Sequence, residues 1–148
     1  MAHRTQLALL DEDFRRRAAI THCLAGTTIH VEPFEDTREL IRHWPRSGLV
    51  LAHDSDGIIE ELVAHMSSTG EWLPLVAYSQ EPGTTRVVRA VMAGAVDYLD
   101  WPFGSSEIHQ AVAVAEESAA VQSNLRLREA MARSRIQKLT RREREVLA

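Results

Sequence analysis

Apolar residues along the chain fall into short runs separated by stretches with helical spacing. Leu7 to Leu10 forms the first run, which stops at Asp11-Glu12-Asp13. Phe14, Ala18 and Thr21 follow at helical intervals, the pattern of a buried strand entering a helix. Thr27 to Val31 is rich in β-branched residues and predicts a second strand; Asp36 with Glu39 then supplies a helix start ahead of Leu40 and Ile41. Leu49 to Ala52 predicts the third strand, and Ile58, Ile59, Leu62, Val63 and Met66 form an amphipathic helix stripe behind the candidate cap Asp56. Leu73 to Ala77 predicts the fourth strand, followed by Val87, Val88 and Val91 on a helix ending at Gly94, and Val96 to Leu99 predicts the fifth. From Ser105 onward one long helix is expected, with Ile108, Val112, Ala115 and Ala119 turned toward the body and Leu125, Leu127, Met131 and Ile136 beyond it.

Five short strands alternating with helices require long, right-handed crossovers, hence an α/β fold with a doubly wound five-stranded parallel sheet and an extended C-terminal helix. In such sheets functional groups gather at the carboxyl edges of the strands. Here those edges carry Asp11-Glu12-Asp13, His53-Asp54, Tyr78-Ser79 and Asp100-Trp101.

A chain of 148 residues supports one core and an appendage. It has neither an apolar run long enough for a membrane span nor a charged leader, so a soluble cytoplasmic protein without membrane contact is expected. The one cysteine, Cys23, excludes an internal disulfide and points to plain packing. The net charge of -4 hides an asymmetry: residues 126–148 hold eight basic and three acidic side chains, leaving nine basic against eighteen acidic before them. A basic tail suits either approach to nucleic acid or a solvated helix. Residues 1–125 contain no lysine, Lys138 being the only one.

The stretch Met92-Ala93-Gly94-Ala95-Val96-Asp97-Tyr98-Leu99-Asp100-Trp101-Pro102-Phe103 closely resembles the segment AGAxDYLxKPF that ends the fifth strand of response-regulator receiver domains. With the acidic cluster after Leu9-Leu10 and the strand Pro74 to Ser79, the resemblance covers residues 5 to about 120. The tail Leu139 to Leu147 looks like the opening of the LuxR-type helix-turn-helix domain of the FixJ/NarL subfamily, and Thr140 with Glu143 makes a capping box for a new helix there. The resemblance implies a CheY-like strand order 2-1-3-4-5. It divides the chain into a receiver over 1–120, a helical linker over 121–138 and the start of a truncated output domain over 139–148.

In receivers an aspartate at the end of the third strand takes a phosphoryl group from phosphohistidine. Two acidic residues hold magnesium beside it, while a hydroxyl and a lysine hold the phosphoryl oxygens. Carried onto this chain, the resemblance makes Asp11 and Glu12 the acidic pair, and the metal ligands if magnesium binds at all. Ser79 becomes the hydroxyl and Tyr98 the switch aromatic. The acceptor position falls on His53 and the lysine position on Trp101, so the nucleophile and the cation are both replaced, and no resident cofactor is expected. A slip of one residue makes Asp54 the acceptor, with its carboxylate on the opposite face of the strand unless the backbone bulges.

His53 reads first as a plain tolerated replacement; the sharper alternative, beside Asp11 and Glu12, is an imidazole whose pKa is raised and which neutralises the site without metal, with sensitivity to mild acid. Trp101 either fills the space of the lysine and phosphate or borders a cavity for a small ligand. His3, His22, His30, His43, His65 and His109 lack the spacing of a metal site, and no motif of an independent enzyme is present. The expected function is therefore the regulatory region of a DNA-binding transcriptional response regulator. It acts without phosphorylation, as a homodimer through the fourth-helix, fifth-strand and fifth-helix face and the linker helix. A histidine kinase or other signalling protein is a further partner, and DNA is reached only through an output domain. The alternatives are phosphate acceptance at Asp54 and small-ligand sensing.

Overall fold

The computed structural model describes residues 4–147, and side chains for residues 4–136. The elements run β1 (Thr5–Leu10), α1 (Phe14–Cys23), β2 (Ile29–Phe34), α2 (Thr37–Arg42), β3 (Leu49–His53), α3 (Ile58–Thr69), β4 (Leu75–Gln80), α4 (Thr84–Ala93), β5 (Asp97–Trp101) and α5 (Ser105–Leu147). All strand pairs are parallel, in the order β2-β1-β3-β4-β5, which is the doubly wound sheet expected. The central strands β1, β3 and β4 are apolar almost throughout because helices cover both of their faces.

Strand pleating sends alternate residues to opposite faces and so divides the core in two. Ala8, Leu10, Val50, Ala52, Leu75 and Ala77 pack with Leu40, Ile59, Leu62, Met66 and Ala90 from α2, α3 and α4. Leu7, Leu9, Leu49, Leu51, Val76 and Tyr78 pack with Ile20 and Leu24 and with Ile108, Ala111, Val112 and Ala115 of α5.

Several boundaries differ from those the sequence predicts, each for a local reason. β2 begins at Ile29 instead of Thr27, because Thr27 closes the turn after α1: its hydroxyl donates to the Leu24 carbonyl and accepts from the Ile29 amide. It continues through Pro33, which an edge strand tolerates. β4 starts at Leu75, since Pro74 has no amide to donate, and runs to Gln80. The stripe Phe14, Ala18, Thr21 is the exposed face of α1, whereas Ile20 and the capping Leu24 are buried. α3 is preceded by Gly57 in the left-handed region, not capped by Asp56. Gly94 ends α4 with φ +132°, and a Cβ there would meet Val63.

The chain forms two compact units, Met1–Glu116 and Glu117–Ala148. In the second, Val121, Leu125, Leu127, Met131 and Ile136 are exposed along α5. The side chains of Thr140 and Glu143, and those of the Leu139 to Leu147 segment, lie outside the described residues. Among the described residues no helix is long and apolar enough to cross a membrane.

Candidate functional site

The pleat that divides the core also divides the polar residues at the carboxyl edge. His53 follows Leu49 and Leu51 onto the α1 and α5 face, where Tyr78, Trp101 and Phe103 also lie. Asp54 and Ser79 follow the opposite phase, and Tyr98 packs against the α3 and α4 core.

The first cluster centres on Asp11, whose side chain is 0% exposed. Its Oδ2 accepts from Arg16 Nε at 2.9 Å and from the Tyr78 hydroxyl at 2.6 Å. Its Oδ1 accepts from Arg16 Nη2 and from the Asp13 amide, both at 2.9 Å. Arg17 Nη1 donates to the Asp11 carbonyl at 2.6 Å. Burial opposes the Asp11 charge, but the bonds from Arg16, Tyr78 and the Asp13 amide outweigh it and hold the pKa below the ordinary carboxylate value. Burial, with the bond to Asp11, pushes the Tyr78 phenol far up, so it remains a donor. Arg16 reaches back because Asp13 caps α1, accepting the Arg16 amide at 3.0 Å and so fixing the first turn against the end of β1.

His53 stands edge-on to the Tyr78 ring, with centroids 5.4 Å apart, and its Nδ1 pairs with the Ser55 hydroxyl at 2.8 Å. Burial lowers its pKa despite the pull of Asp11 and Glu12, and the charges of Arg16 and Arg86 lower it further. The cation paired with Asp11 is Arg16, not His53, which fits the reading of His53 as a plain replacement better than that of a neutralising imidazole. Glu12 is exposed.

In the second cluster the Tyr98 hydroxyl donates to Asp54 Oδ2 at 2.7 Å. Its proton being committed there, Tyr98 accepts from the Ser79 hydroxyl at 2.6 Å. Arg86 Nε on α4 lies 3.6 Å from Asp54. Burial, together with the bond to Asp54, pushes the Tyr98 phenol up to about 12. Trp101 packs perpendicular to Phe103 at 5.0 Å and borders an open cleft of about 410 Å³ with Gln80, Glu81, Asp100 and Glu107.

No protein-family model and no curated protein matches the chain. Solved structures do. Full-length FixJ from B. japonicum superposes with TM-score 0.69 at 21% identity, over 83% of this chain and 63% of FixJ. A response regulator receiver protein from Pseudoalteromonas atlantica gives 0.64 at 21% identity, over 77% of this chain and 98% of that one. The receiver domain of the sensor histidine kinase PA1611 from Pseudomonas aeruginosa, which holds magnesium in its active-site cleft, gives 0.64 at 16% identity, over 74% and 94%. The chain has the receiver fold.

On that fold the pocket residues named from the sequence fall into two hydrogen-bonded groups. Asp11 and His53 lie in the first cluster with Trp101 at its aromatic edge, Asp54 and Ser79 join Tyr98 in the second, and Glu12 faces solvent. Sequence reasoning missed Arg16 and Arg86 and placed Tyr78 at the edge without a role. Arg16 and Tyr78 close Asp11, and Arg86 brings a guanidinium to Asp54 where no lysine is available.

Proposed function

We propose that this chain is the receiver region of a transcriptional response regulator of the FixJ/NarL type, working by protein contacts and not by aspartyl phosphorylation. The observation that carries this reading is that Asp11 and Asp54 are each already engaged by other side chains. The acidic group that would assist phosphoryl transfer is buried under Arg16 and Tyr78, and the remaining aspartate belongs to a hydroxyl chain with Tyr98 and Ser79. Phosphoryl transfer needs an unencumbered nucleophile and an open acidic site together, and here Asp54 already accepts from Tyr98 while Asp11 already holds Arg16. The contact surface is the α4, β5 and α5 face. α4 exposes Val88, Val91 and Met92, the last 82% exposed, at the i, i+3, i+4 spacing of a helix stripe. A homodimer through this face, with DNA read by an output domain of LuxR type, is the working arrangement.

A specific observation favours a second reading, phosphate acceptance at Asp54: Tyr98 and the Arg86 guanidinium lie beside that carboxylate, and Ser79 is bonded to Tyr98. Treatment with acetyl phosphate and magnesium followed by mass spectrometry separates the two. The proposed function expects no adduct, and a base-labile phosphoryl group at Asp54 overturns it. Sedimentation of the wild type and of Met92→Glu tests the contact face. Dimers that persist undiminished in the variant refute that part of the reading.

A further inference from the structure

The acidic pair after β1 is where receiver resemblance puts a magnesium ion, and the bonds around Asp11 test whether one fits. A hard divalent cation needs open carboxylate lone pairs, of which one aspartate offers about four. All are engaged here. Oδ1 accepts from Arg16 Nη2 and the Asp13 amide, and Oδ2 accepts from Arg16 Nε and the Tyr78 hydroxyl. The guanidinium also sets a full positive charge against the carboxylate a cation would approach. Its planar fork matches the carboxylate edge, so both bonds form at once without displacing either neutral donor.

Nearby groups do not make up the loss. His53 Nδ1 is paired with Ser55, Asp13 accepts the Arg16 amide, Asp54 accepts from Tyr98, and Glu12 is exposed to solvent. Among the described residues no group of three His, Cys, Asp or Glu is placed to hold a metal. The residues therefore do not fit the ion.

We infer that Arg16 is a built-in cation that closes Asp11 to divalent metals, so that the acidic pocket of this domain is complete without one. The inference is independent of the proposed function, since a domain can lack an acceptor and still take up magnesium. Arg16 and no neighbour fills the role because the Asp13 cap fixes the first turn of α1: Arg16 meets the carboxylate and Arg17 the Asp11 carbonyl.

The test is an amide NMR titration of the full chain with magnesium chloride, and with manganese chloride for paramagnetic broadening. In the wild type the Asp11 and Asp13 amides should show no saturable shift up to roughly 10 mM, above the range of ordinary carboxylate cation sites. Arg16→Ala should acquire saturable shifts at these amides, a gain of roughly tenfold or more in affinity, the scale on which neighbours of a ligating carboxylate act. Arg16→Gln, which keeps most of the packing and removes the charge, serves if the alanine variant does not fold. Saturable wild-type shifts at Asp11 overturn the inference whatever the variants do, as does a folded variant that takes up no metal. An adduct at Asp54 formed without metal uptake would sink the proposed function and leave this inference standing.

Discussion

Tyr78→Phe removes one oxygen atom from the centre of the molecule and isolates one bond. The Tyr78 ring is wholly buried, edge-on to His53 at 5.4 Å and to Phe103 at 5.5 Å, and tilted to Trp101 at 6.5 Å. Phenylalanine keeps these ring contacts and the volume, so no cavity cost enters. The loss is the 2.6 Å bond from the hydroxyl to Asp11 Oδ2, on a carboxylate that water does not reach. A bond to a charged acceptor contributes about 1.5–3 kcal/mol, and Arg16 still holds the charge, so about 2 kcal/mol is expected at neutral pH. For a domain of this size that lowers the Tm by roughly 8 °C.

Asp11 has a pKa lowered from 3.8 in the folded protein, so its ionised form stabilises fully above that value and less as pH falls through the folded value. The deficit of the variant should accordingly narrow in acid. Urea unfolding followed by circular dichroism at several pH values measures both effects. A variant within about 0.5 kcal/mol of wild type at neutral pH would falsify the account of Asp11 as a carboxylate dependent on its buried donors.

The remaining expectations concern the other cluster, the histidine and one turn. Burial lowers the His53 pKa from 6.5, so its contribution to stability is complete above that value and declines as pH falls below it. His53→Asn should flatten that part of the stability curve, and parallel wild-type and variant curves would refute the assignment. Tyr98→Phe breaks the chain from Ser79 through Tyr98 to Asp54 and should cost about 1 kcal/mol in urea unfolding. In wild type, ultraviolet titration should find one phenol ionising near 12 that the variant lacks. Gly94→Ala forces a Cβ onto Val63 at φ +132° and should cost about 1–3 kcal/mol. Adding Val63→Ala should not restore all of it, because the backbone strain remains.

The fold was legible in the sequence because each central strand is a nearly unbroken apolar run, a signal that survives errors of two residues at either end. The errors arose where a residue type served another purpose. Thr27 is β-branched yet caps a turn, and the strand runs past Val31 through Pro33 because it lies at the sheet edge. The site was less legible, because its partners meet across a strand-to-helix boundary that periodicity does not describe. One signal was nonetheless present. Arg15, Arg16 and Arg17 crowd the first turns of α1 and its first turn has no acidic residue, which places cations at the positive end of the helix dipole. Such a placement needs compensating anions, and the sequence offers Asp11 and Asp13 directly before it. Asp13 caps the helix. That Asp11 would take the guanidinium, and Tyr78 from β4 the remaining lone pair, depends on strand register and on the phase of the pleat at position 78. The same phase decides that Asp54, one residue after His53, answers to Ser79 and Tyr98 instead. A one-residue difference in β3 therefore determines which of two chemically distinct clusters a side chain enters, and alignment by motif alone is blind to that difference.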